Sequence, residues 1–98
     1  MLDTLTADSF EPHVNTGFTV SMDGYDDVLT LVAVERGKAA GAAAREPFNL
    51  TFHGARTDMH FNQNVLPFEH PVLGRIEIFA GPFGKNEDGT FRYSATFN

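Results

Sequence analysis

Between Glu69 and Phe79 the chain reads EHPVLGRIEIF, and this stretch constrains the fold more than any other. A turn of acid, histidine and proline passes through Gly74 into a segment where Ile76 and Ile78 fall on one side and Arg75, Glu77 and Phe79 on the other. Side chains alternate across a strand, so this pattern predicts a core strand entered through a tight turn. A second alternation closes the sequence, with Phe91, Tyr93, Ala95 and Phe97 on one face and Arg92, Ser94 and Thr96 on the other. Between them lie Gly81-Pro82-Phe83-Gly84, read as a turn cluster, and the acidic turn Asn86-Glu87-Asp88-Gly89. The prediction is a long terminal hairpin in which Arg75 to Ala80 and Thr90 to Phe97 pair antiparallel.

The preceding sequence gives the same kind of signal. Phe18, Val20 and Met22 alternate after Gly17, and Asp23 to Asp27 reads as a turn. Val28 to Glu35 is a nearly continuous apolar run, expected of a strand covered on both sides. Phe48, Leu50 and Phe52 alternate after Pro47, and Gln63 to Glu69 is extended, with Val65 and Pro67 on one face and Leu66 and Phe68 on the other. Proline cannot donate to a ladder, so this last segment is predicted to be an edge or bulged strand. The only helix expected is a short one near the start, with Thr6 as N-cap, Leu5 and Phe10 as a hydrophobic staple and Pro12 limiting its length. Its apolar residues are expected to plug one end of the sheet structure. The segment from Arg36 to Arg45, rich in Ala and Gly, is read as a loop. About six strands joined by sequential hairpins predict an all-β, mainly antiparallel fold, a small barrel or sandwich with a short N-terminal helix.

With 98 residues, one domain spanning 1–98 is expected, its core built on ten Phe because there is no Trp. Phe52, Ile76, Ile78, Tyr93 and Phe97 are its predicted members. The absence of Cys excludes disulfides, thiolate nucleophiles and cysteine zinc sites. A net charge of −6 with scattered basic residues argues against nucleic acid. No apolar stretch approaches the roughly 18 residues of a membrane span, and the amino end lacks the basic and apolar regions of a Sec signal. A cytoplasmic protein, or one in an assembled particle, is the expectation.

The pattern resembles a family of bacterial domains of unknown function, about a hundred residues long. Leu5-Thr6 with Phe10, Arg45-Glu46-Pro47-Phe48 leading to Leu50 and Phe52, His70-Pro71 with Gly74, Ile78-Phe79, Tyr93 and the ending Phe97-Asn98 carry the resemblance. Gly37 to Ala44 and the segment around Met59 and His60 depart from it. The resemblance implies gene neighbourhoods with phage-tail-like collar or fibre proteins, and hence an accessory of a tail-like assembly. It implies no catalytic residues.

The residues themselves point the same way. No histidine spacing matches a strong metal motif, the aspartates around Gly24 do not make an EF-hand, and no serine sits in a nucleophile elbow. A non-enzymatic module that binds another protein or a second copy of itself is therefore expected, without cofactor. Its candidate interface is Val65, Leu66, Pro67 and Phe68. The alternative is a small-ligand barrel or weak hydrolase using His53, Asp58, His60, Glu69 and His70 around the polar connection after the third strand.

Overall fold

A computed structural model describes residues 5–37 and 46–97. Six antiparallel strands close into a barrel: β1 (Gly17–Met22), β2 (Tyr25–Arg36), β3 (Phe48–His53), β4 (Asn64–His70), β5 (Gly74–Lys85) and β6 (Phe91–Phe97), in the order β1-β2-β3-β6-β5-β4. The two architectures left open by the sequence thus resolve to a barrel. A short helix, α1 (Ala7–Phe10), runs into one turn of 3-10 helix at Glu11–His13, where Pro12 stops the α-helix from continuing.

Every strand sends alternate side chains inward. Phe18, Val20, Leu29, Leu31, Leu50, Phe52, Leu66, Phe68, Ile78 and Tyr93 are almost fully excluded from solvent, and Phe97 and Ile76 join them. Phe52 lies between Phe18, at 5.5 Å between ring centroids, and Phe68, at 4.9 Å. Each large ring buried here contributes roughly 150–250 Å² of apolar surface, which is how a chain without Trp fills its interior. The ends are closed by different plugs. At one end Phe10 of α1 sits against Phe48 and Phe97, which stack on each other at 4.6 Å. At the other, the connection from Gly54 to Gln63 lays Phe61 over the core, its amide donating to the Tyr93 hydroxyl at 3.0 Å.

Several boundaries differ from the sequence reading, each for a physical reason. The β1–β2 turn is only Asp23-Gly24, both with positive φ (54° and 82°), the two-residue geometry that matches strand twist, so Tyr25 to Asp27 belong to β2. The apolar run in β2 is not covered on both sides, since Val28 is exposed. A register shift between Leu31 and Ala33 inserts one residue, so Val34 follows Leu31 inward and the alternation is hidden. Gly81 to Gly84 is not a turn but the second half of β5, bulged between Pro82 and Gly84; the chain reverses at Asn86 to Thr90. The predicted last hairpin exists, but β5 pairs with β6 through Gly81 to Lys85, whereas Arg75 to Ala80 pairs with β4.

Lastly, β4 is not an edge along its whole length. It pairs with β5 from Asn64 to His70 and with β1 at Glu69 and Phe68. The β1 ladder stops where Pro67 would face Ser21, as a residue without an N–H dictates, while barrel closure supplies the neighbour that a free edge lacks. The Ala/Gly loop expected from the sequence falls, over Lys38 to Arg45, outside the described residues.

Candidate functional site

The five residues of the expected ligand site do not converge. His53 ends β3, and His60 and Asp58 lie on the connection beyond it, whereas Glu69 and His70 end β4 at the opposite end of the barrel. The length of β4, roughly 20 Å, lies between its start, near His60, and its end at Glu69 and His70. Asp58 is held by Arg56, whose Nη2 and Nε approach it at 2.6 and 2.9 Å; that guanidinium keeps the carboxyl below its usual pKa. The His60 ring rests 4.9 Å from Phe91. His53 borders an open groove of about 550 Å³ with Thr30, Asn86, Glu87, Asp88 and Thr90. There Asp88 accepts from the Thr90 hydroxyl and amide at 2.6 and 3.0 Å, bonds that lower its pKa and stabilise the β5–β6 turn. Glu69 is exposed, and His70 is buried in a separate hydrogen-bond network. Among the described residues, no three His, Asp or Glu side chains are grouped to hold a metal.

The expected interface divides by strand parity. Leu66 and Phe68 fold into the core, which corrects their assignment to an exposed surface, while Val65 faces solvent and Pro67 is half-buried. Directly opposite Val65 on β5 is Phe79. Val65 is 48% exposed and Phe79 57%, two apolar side chains in register on the outer wall. Farther along β5, on the order of 13 Å by strand rise, the bulge presents Phe83, which is 53% exposed. Gln63 lies over Gly81 between them, where a Cβ would come within 2.8 Å of it. The Arg92 guanidinium stacks 5.2 Å from the Phe83 ring, crossing the space that Gly84 leaves open, and its buried Nε has no hydrogen-bond partner among the described residues. The outer wall thus carries an apolar pair at Val65 and Phe79 and, farther along β5, a second group of Phe83 with the Arg92 cation.

One polar residue that the sequence reading placed in a turn organises the plug below this wall. Asp27 is buried and accepts hydrogen bonds from the amides of Val28 (2.8 Å), Ala55 (3.1 Å) and Arg56 (3.2 Å), stapling the connection to β2. Parity could have found it, because Asp27 shares the inward phase of Leu29 and Leu31. Phe83 was masked by its Gly-Pro surroundings, which read as a turn and serve as a bulge. Phe79 was legible as outward-facing, but its partnership with Val65 required the register.

The sequence profile of the family described as Domain of unknown function (DUF6916) matches residues 5–97. No curated protein and no solved structure matches the chain. The chain therefore belongs to the DUF6916 family.

Proposed function

We propose that this member of the DUF6916 family is a non-enzymatic protein-binding or assembly module, and that its binding surface is the outer wall of β4 and β5 around Val65 and Phe79, extending to Phe83 and Arg92. The observation that carries this reading is the in-register pair of exposed apolar side chains on adjacent strands. A lone exposed apolar residue is ordinary, but a cross-strand apolar pair, with a second aromatic farther along β5 and an arginine stacked on it, has the residue types of interface centres. Contact through side chains on the outer wall is favoured over the edge-strand pairing suggested by Pro67, because β4 pairs with β5 along its length and with β1 at Phe68 and Glu69. The resemblance, which implies gene neighbourhoods with tail collar and fibre proteins, favours as partner a subunit of such a particle or another copy of this chain. The ligand or hydrolase reading gains no comparable support, since its five residues lie at opposite ends of the barrel.

The test is co-purification from the native host alongside sedimentation of the isolated protein, with Val65→Lys and Phe79→Lys as variants. Both positions are exposed, so the substitutions are expected to change stability by no more than about 0.5 kcal/mol. The expected result is a partner, or a concentration-dependent oligomer, that the wild type shows and both folded variants lose. A wild type that stays monomeric and partnerless, or variants that associate as the wild type does, would overturn the proposal.

A further inference from the structure

His70 ends β4 with its side chain directed inward, in phase with Leu66 and Phe68, and is only 7% exposed. Its two ring nitrogens are assigned opposite roles by their partners. The amides of Val72 and Leu73 donate to Nδ1 at 3.1 and 3.3 Å, so Nδ1 carries no proton. Nε2 meets the Thr16 hydroxyl at 3.0 Å, and that hydroxyl spends its single proton on the His13 carbonyl at 2.5 Å. Nε2 must therefore be the donor, and the network is complete for one species alone, the neutral imidazole protonated at Nε2.

The ring joins two parts of the molecule. Through Nδ1 it holds the Pro71–Leu73 turn, and through Thr16 it holds the segment that carries α1 and the 3-10 turn onto the barrel end. The His13 ring lies 4.6 Å away on the 3-10 turn and the Phe18 ring 4.5 Å away on β1. The Pro71–Leu73 turn brings no charge, and Glu69 and Arg75, the nearest charged groups on β4 and β5, are opposite one another on the outer face. His13 is thus the titratable group that faces His70 from the packed elements.

We propose that His70 is an acid-sensitive latch: a proton arriving at Nδ1 places a donor against the Val72 and Leu73 amides, expels the ring, and releases the turn and the α1 segment from the barrel end together. Release would uncover the Phe10, Phe48 and Phe97 cluster. The direction of the effect follows from burial, with a smaller contribution from His13, which holds the His70 pKa below that of a free imidazole. The open state then binds the proton more readily than the closed one, so closure is favoured above the open-state pKa and weakens as pH falls from there toward the closed-state value.

The test is amide hydrogen exchange and imidazole nitrogen spectroscopy on the full chain between about pH 7 and pH 5, bracketing the ordinary histidine range. The wild type is expected to show His70 as the Nε2–H tautomer at neutral pH. Protection of the Val72, Leu73 and Asn15 amides, corrected for intrinsic exchange, should fall together by roughly tenfold per pH unit below the open-state pKa. His70→Asn, whose amide oxygen can replace Nδ1 as acceptor but takes up no proton, should flatten that slope. The latch is overturned if His70 titrates while those amides stay protected, or if His70→Asn retains the wild-type slope. Should the variant not fold, the wild-type titration decides alone.

Discussion

Tyr93 shows what one polar atom does in this interior. Its ring is fully buried in the barrel and its hydroxyl accepts a hydrogen bond from the Phe61 amide at 3.0 Å. Burial raises the phenol pKa, so the hydroxyl stays neutral through the physiological range. Tyr93→Phe keeps the ring but leaves the Phe61 amide without its acceptor, and should cost about 1–3 kcal/mol. Chemical denaturation would check it, with faster exchange of the Phe61 amide as the local signature. The aromatic body of Tyr93 was legible from alternation, but the hydroxyl's partner lies 32 residues away and follows only from the path of the connection. The same holds for His70: its inward phase is visible in the sequence, whereas Thr16 reaches it only after β1 and β4 have paired.

At the scale of elements, the α1 segment is the clearest case of local sequence and tertiary packing agreeing. The Thr6 amide donates to the Ser9 hydroxyl at 3.0 Å, and the segment is docked by Phe10 and by Asn15, whose amide donates to the Leu31 carbonyl at 2.6 Å. Arg36, at the end of β2, reaches back to Asp8, Glu11 and Glu46, and these carboxylates raise its already high pKa. These exposed pairs orient the segment more than they stabilise it. The apolar plug does the holding, so Phe97→Ala, which removes a stacking partner of Phe48 and a contact of Phe10, should cost about 3–5 kcal/mol in a thermal or denaturant melt. Strands with strict alternation, β3 and β6 above all, could be read within a residue of their limits. Those with a bulge could not, because one inserted residue shifts the inward phase and leaves a pattern that imitates a doubly covered strand in β2 and a turn in β5.

For the whole molecule, closure of the barrel decides where a partner can bind. Hydrophobic pattern and turn chemistry specify antiparallel strands, but the pairing of β4 with β1 joins segments about fifty residues apart, and no local signal announces it. That pairing confines the edge expected around Pro67 to the residues before Phe68 and turns attention to side chains on the outer wall. It also separates the five residues of the expected ligand site, which seemed near one another only along the chain. The surface proposed for binding has an internal control, because Tyr25 on β2 is 54% exposed, close to Phe79 at 57% and Phe83 at 53%. Hydroxyl-radical footprinting of these three rings, in the purified protein and again in native-host extract, therefore tests the binding surface most directly. The account predicts that labelling of Phe79 and Phe83 falls in extract while that of Tyr25 is unchanged; equal labelling of all three under both conditions would contradict it.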